Sequence, residues 1–296
     1  MKTRRQFLKT AGLAVAAGLV APQLLSSCGG NITAKSKASK NIGLQLYSLR
    51  DMVGEKGIAE VLKVVADMGY KNLETASYDD GKVYGLAPTE FKKMVDDLGM
   101  KVTSTHLGQA YSPEKAGEVM AWWDKAIETH AALGVKYMIQ PWMHIGDDST
   151  LDYLKMYCDY FSDVGKKVKD AGMLFGYHNH AFEFKKIEDQ IIYDYMLANV
   201  DKNNVLFELD VYWIMVGGYN PVEYMKKYAS QIKVLHIKDE KEIGASGKMD
   251  FKPIFEQAYA NKIEDWYVEV EQYTNNNPVE SVQQSYTFLY NADYVK

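Results

Sequence analysis

Beyond about residue 40 the chain alternates between two hydrophobic rhythms. Short apolar runs with strand character recur at intervals of roughly 30 residues, the span of one strand–helix–strand step. They fall at residues 42–48, 71–76, 101–107, 135–141, 173–180, 204–211, 232–238 and 265–271. Between them apolar residues sit three and four apart, as on one helix face. Ile58, Val61, Leu62 and Val65 precede Gly69, and Phe91, Met94, Val95 and Leu98 precede Gly99. Further helices are predicted from Pro113 to Leu133, from Tyr153 to Ala171, and after Pro221, Pro253 and Pro278, since proline suits a first helical turn and glycine a helix end. Strand then helix, eight times in about 250 residues, predicts an α/β fold of the (β/α)8 TIM-barrel type. An open doubly wound sheet would want a glycine-rich turn after its first strand. Tyr47-Ser48-Leu49-Arg50-Asp51 stands there instead.

The first 40 residues follow neither rhythm. Lys2, Arg4, Arg5 and Lys9 form a basic start, and an Ala- and Gly-rich apolar run follows from Ala11 to Ala21. That order is the one of a signal peptide, and the run is too short to span a bilayer. Thr3 to Lys9 resembles a twin-arginine export signal, and Leu25-Ser26-Ser27-Cys28 resembles a lipobox. The expected organisation is a signal peptide at 1–27, a polar tether at 28–40 and one catalytic barrel domain at 41–296. Cys28 would carry a lipid anchor, and the protein would be exported, either periplasmic or a membrane-anchored lipoprotein. Losing the leader takes the formal net charge from −5 to about −9. An acidic chain is a poor partner for nucleic acid. With Cys28 lipidated, Cys158 is the one thiol left, so no internal disulfide is expected.

In a barrel of this type the chemistry lies at the C-terminal ends of the strands. Those ends carry Tyr47, Glu74, His106, Gln140, His178 with Asn179 and His180, Glu208 and Asp210, His236 and Lys238, and Glu269 and Glu271. Four of the six histidines are in that set, and only His130 and His144 fall elsewhere. Residues two apart on a strand share a face. Each of these pairs is therefore expected to point the same way, toward the barrel axis. Several carboxylates and imidazoles converging there repel or desolvate one another unless a cation joins them. One divalent metal ion (Mn2+, Zn2+, Co2+ or Mg2+) meets that need.

Tyr177-His178-Asn179-His180-Ala181-Phe182-Glu183-Phe184, Glu208-Leu209-Asp210-Val211-Tyr212-Trp213, His236-Ile237-Lys238-Asp239 and Val268-Glu269-Val270-Glu271 resemble the later strand ends of the xylose isomerase-like barrel superfamily. That group includes sugar phosphate isomerases/epimerases, ketose 3-epimerases, inosose dehydratase and endonuclease IV. The resemblance implies metal ligands at Asp210, His236 and Glu269. The acid usual on strand five is missing, and His178 stands in its place. Either Glu183, a few residues on, reaches back as the fourth ligand or a histidine ligates directly; Glu183 is the favoured expectation. The resemblance also implies that Glu269 handles the substrate proton. With one glutamate replaced, His178 or His180 is the candidate base, and Lys238 a candidate to hold the developing negative charge. Glu74, His106, Trp142, Trp213 and Glu271 are expected to bind substrate. The blander readings are salt-bridge anchoring for Glu74, support of Glu269 for Glu271, and packing for Trp142.

The expected function is a metal-dependent sugar isomerase or epimerase that removes a proton beside a carbonyl through an enediolate, on a small carbohydrate. The same barrel could instead cleave a 3-keto-glycoside or dehydrate a keto-polyol, because the enolate is common to both outcomes. A non-catalytic sugar-binding lipoprotein ranks lower, since it would not retain a convergent acid/base set. Export favours an unphosphorylated substrate. The glycine-containing loop at residues 243–250 is read as a turn rather than a phosphate site.

Overall fold

The computed structural model describes residues 40–296. The signal peptide and nearly all of the tether expected from the sequence lie outside the described residues. Strands Gly43–Gln45, Asn72–Thr75, Lys101–His106, Tyr137–Gln140, Leu174–His178, Val205–Asp210, Ile232–Lys238 and Asp265–Glu269 make up the barrel. Each pairs with the next in chain order, the first closes on the last, and the pairing is parallel throughout. Closure leaves no open sheet edge. Helices pack outside the strands, among them Ile58–Met68, Pro88–Asp97, Ala116–Leu133, Leu151–Asp170, Phe251–Ala260 and Pro278–Asn291. The chain is an α/β protein with the (β/α)8 TIM-barrel fold. Among the described residues no helix is long and apolar enough to cross a membrane.

Period-two alternation stacks the interior in layers. Tyr137, Ile139, Leu206, Val234 and Tyr267 form a separate apolar cluster inside the barrel. Two residues further along the strands of Leu206, Val234 and Tyr267 stand Glu208, His236 and Glu269, and two further again in the chain come Asp210, Lys238 and, just past its strand, Glu271. The interior thus changes from apolar to ionisable within one strand repeat. Gly176 makes the lower layer possible: a Cβ there would sit 2.6 Å from Leu206 Cδ1 and 2.7 Å from Ile139 Cδ1. The larger core lies between strands and helices, where Trp123, Phe161, Phe175 and Tyr177 are fully covered.

The strands are shorter than the hydrophobic runs, and this repositions the site. Gln45 ends the first strand because its side-chain oxygen accepts the Tyr47 N–H at 2.9 Å and turns the chain into the 3-10 helix Leu46–Leu49. Tyr47 is thereby set on the rim, 43% exposed. The fifth strand stops at His178, so Asn179 and His180 belong to the following loop. The eighth stops at Glu269, leaving Glu271 beyond it. Two hairpins of two-residue strands, Tyr78–Asp79 with Lys82–Val83 and Lys186–Ile187 with Gln190–Ile191, are too short to leave a periodic trace.

The loops after the last two strands are tied together by one buried carboxylate. Glu242 accepts the Thr274 N–H at 2.9 Å, the Thr274 hydroxyl at 2.6 Å and the Ser281 hydroxyl. Burial alone would raise its pKa, but these donors outweigh it and bring the group from 4.5 to about 2. A folded-state pKa below the unfolded one stabilises above the unfolded value and ceases to do so as pH falls through the folded one. Glu242→Gln should therefore cost about 2 kcal/mol at pH 7. The difference from wild type should shrink between about pH 4.5 and 2. Urea melts of both proteins across that range check this, and a gap that did not change with pH would refute it.

Candidate active site

At the C-terminal end of the barrel a cleft of about 440 Å³ opens, lined among others by Tyr47, His106, Trp142, His178, His180, Glu269 and Glu271. A second cavity, of about 350 Å³, lies at the opposite end among lysines that precede or begin the strands, such as Lys136 and Lys233, away from the donors described here.

His178, Asp210, His236 and Glu269 each offer one donor atom, and the four atoms lie within 4.8 Å of one another. All four residues are buried. Asp210 is held by its own loop. It caps the short helix Val211–Val216, its Oδ1 accepting from Tyr212 N at 2.9 Å and Trp213 N at 2.7 Å. Asn179 Oδ1 accepts the Asp210 N–H at 3.1 Å. Asp210 Oδ2 is left buried with no hydrogen-bond partner. Burial pushes the Asp210 carboxyl up to about 7 despite the charges of Lys238 and His236. An orphaned carboxylate oxygen among two imidazoles and a second carboxylate fits a divalent cation. Two nitrogen donors suit Mn2+, Co2+ or Zn2+ better than Mg2+, which prefers oxygen.

Beneath that set runs a buried polar layer. His236 Nε2 lies 2.6 Å from Glu74 Oε2 and 3.2 Å from Glu208 Oε2, while its Nδ1 lies 3.3 Å from Glu269 Oε2. His178 Nδ1 is 3.2 Å and His106 Nε2 2.7 Å from Glu208 Oε2. His106 stacks on His236 with centroids 4.9 Å apart and rings 10° from parallel. Burial favours neutral imidazole at His236, but Glu208, Glu74 and Glu269 overcome it and raise its pKa well above the ordinary value. Burial dominates at His178 and His180, whose pKa values are lowered, so both are neutral at pH 7.

Lys238 is 2% exposed, with Nζ 2.8 Å from Glu271 and 3.6 Å from Glu269. Burial pushes Glu269 up, but Lys238 first and His236 next hold it far below the usual carboxylate range. Lys238 is thus paired with these two acids and lies 5.7 Å over the Trp213 ring. Arg50 braces the rim, bonding Tyr47 O, Glu271 O and the Tyr273 hydroxyl at 3.1 Å each.

Three expectations meet a different geometry. Glu183 belongs neither to that donor group nor to the one formed by His106, His178, Glu208 and His236, whose donor atoms also lie within 4.8 Å of one another. Its carboxylate accepts the Tyr177 hydroxyl at 2.7 Å and the His180 N–H at 2.8 Å, because the 3-10 turn Phe182–Phe184 folds it back toward the end of its own strand. The strand-five donor beside Asp210, His236 and Glu269 is His178. Glu74 is fully covered and does not line the cleft, its oxygens being taken by Gln45, Ser104 and His236. Trp213 is half-buried and lies outside the cleft-lining residues, whereas Trp142 lines it at 40% exposure. Gln45 and Ser104 were not anticipated. Glu208 was visible as the residue two before Asp210 on the same strand face. In the loop at 243–250, Asp239 takes the Gly244 N–H and the Ser246 hydroxyl, groups that a phosphate would otherwise use.

The sequence profile of the xylose isomerase-like TIM barrel matches residues 62–292. An inosose dehydratase of Clostridium beijerinckii is 29% identical over 142 residues, 40% of this chain and 47% of that protein. One of Geobacillus kaustophilus is 24% identical over 195 residues, 61% of each chain. The chain thus spans about half the length of the first of these relatives. A crystal structure described as a sugar phosphate isomerase/epimerase, from Parabacteroides distasonis, superposes with a TM-score of 0.82 at 39% identity, covering 87% of this chain and all of that one. An L-ribulose 3-epimerase, at 14% identity and a TM-score of 0.67 over 84% of this chain and 93% of its own, shares the fold. The chain belongs to the xylose isomerase-like TIM-barrel family.

Proposed function

We propose that the chain removes the proton beside the carbonyl of an unphosphorylated keto-sugar or keto-polyol and then expels the β-oxygen, as a dehydratase or lyase. The observation that carries this reading is the asymmetry of the cleft. Glu269 faces it as a strongly stabilised anion, and on the strand-five side stand the neutral imidazoles of His178 and His180. A two-carboxylate site could exchange a proton symmetrically from both faces of a carbon. With Glu269 and His178 reserved for the cation, the base falls to His180 on the strand-five side, which favours taking a proton and returning it to a leaving oxygen on the same side.

His180 is suited to that work. It lines the cleft, and its Nδ1 is buried without a partner. A neutral imidazole takes the proton from the carbon beside the carbonyl, and the C–H electron pair becomes the enolate. As the enolate reforms the carbonyl, the β-carbon–oxygen bond breaks, and the imidazolium returns the proton to the departing oxygen. A divalent cation held by His178, Asp210, His236 and Glu269 would supply Lewis-acid polarisation of the carbonyl. Tyr47 and Trp142 place partly exposed aromatic side chains at the cleft, suited to the apolar side of a sugar ring. The described residues that line the cleft include no lysine or arginine, which supports a substrate without phosphate. The curated relatives named inosose dehydratase support the elimination outcome.

A second reading, an isomerase or epimerase, is favoured by the 39% identical structural relative described as a sugar phosphate isomerase/epimerase. Metal-stripped protein supplied with Mn2+ in D2O separates the two on a cyclic keto-polyol and a keto-glycoside. Loss of water or aglycone with appearance of enone absorbance supports elimination. Deuterium incorporation with every hydroxyl retained supports isomerisation, and no exchange on either substrate sinks both. The export expected from residues 1–28 is tested separately, by locating a tagged full-length chain and a Cys28→Ala variant in membrane and soluble fractions.

A further inference from the structure

We infer that Glu74, seconded by Glu208, is a positioning carboxylate that sets the histidines of the donor group from below. The inference rests on reading His178, Asp210, His236 and Glu269 as a cation site. Glu74 is fully covered and absent from the cleft wall, so it does not touch a substrate there. All of its contacts are made inside the barrel. Oε1 accepts the Ser104 hydroxyl at 2.6 Å, and Oε2 accepts Gln45 Nε2 at 2.8 Å and faces His236 Nε2 at 2.6 Å.

An imidazole ligand has two freedoms that weaken a site: it can flip its ring, and it can carry its proton on either nitrogen. A carboxylate at one nitrogen removes both, and it makes the other nitrogen a stronger donor. At His236 the nitrogen held from below is Nε2, while Nδ1 faces Glu269, another member of the donor group, at 3.3 Å. At His178 the nitrogen held is Nδ1, by Glu208 at 3.2 Å, which leaves Nε2 for the donor group. The near-parallel His106 ring blocks rotation of His236 from its flank. Gln45 links this layer to the rim, since the side chain that donates to Glu74 also accepts the Tyr47 N–H. The turn that sets Tyr47 at the cleft and the carboxylate that sets His236 are therefore one hydrogen-bonded unit.

The test is titration of Mn2+ alone into metal-stripped wild type, Glu74→Gln, Ser104→Ala and Asp210→Asn, with a thermal melt of each metal-free protein to establish that it is folded. Glu74→Gln should bind Mn2+ about 10- to 100-fold more weakly than wild type. Ser104→Ala, which removes one donor to Glu74, should weaken it in the same direction by less. Folded Glu74→Gln with wild-type affinity overturns the inference while leaving the cation site standing. Should Glu74→Gln not fold, unchanged affinity in Ser104→Ala overturns it. If wild type takes up no Mn2+, or Asp210→Asn binds it as well as wild type does, the cation reading falls and this inference with it.

Discussion

Asp210→Asn should lower kcat/KM by on the order of a thousandfold and abolish tight divalent-metal binding, with almost no change in fold. The separation is possible because the two carboxylate oxygens have different partners. Oδ1 caps the Val211–Val216 helix through the Tyr212 and Trp213 N–H groups. Asparagine caps a helix as well as aspartate does. Oδ2 is the buried oxygen without a partner, and asparagine replaces it with an NH2 donor that cannot bind a cation. Calorimetric metal titration, kcat/KM on the substrate identified by deuterium exchange, and a thermal melt together check the result. Retained metal affinity with a normal melt would remove Asp210 from the site.

Lys238→Met should be the second most damaging change, and it should act on both stability and turnover. The ammonium is buried between Glu269 and Glu271 and over the Trp213 ring. Methionine fills the stem but leaves two acids facing each other without their main counter-charge. Breaking a buried pair by removing one partner costs about 3–5 kcal/mol. Because Glu271 is partly exposed and keeps solvent contact, about 3 kcal/mol is the expected figure. Turnover should fall by about a hundredfold, since Glu269 loses the charge that holds it in its anionic, donor-competent form. Denaturant melts and steady-state kinetics measure the two effects independently. Activity within twofold of wild type would show that Lys238 serves packing alone.

The strand-end motifs carry the fold and the residue types that gather at the barrel's C-terminal end. Asp210, His236 and Glu269 meet because each lies at or within two residues of the C-terminal end of a parallel strand, and alternation along a strand is a short-range property that a linear pattern preserves. The substrate-binding expectation for Glu74 had no such support. Its neighbours include His236, 162 residues away, and that contact exists only once the barrel has closed. From its position alone, a strand-end glutamate in the cleft and one in the layer below it look the same.

Glu183 shows the opposite failure, a short-range one. Its place five residues after His178 is compatible with reaching into the site. A 3-10 turn instead delivers it to Tyr177 and the His180 N–H. Such a turn leaves no hydrophobic period to read.

The sequence by itself therefore determined the eightfold strand–helix rhythm and the ionisable identity of the barrel's upper layers, because both depend on spacing within single elements. Only the tertiary structure decided which carboxylates face the cleft, which brace the histidines from beneath, and that His178 and not Glu183 stands with Asp210. Depth inside a closed barrel is set by how neighbouring strands are staggered against one another, and no single strand carries that information.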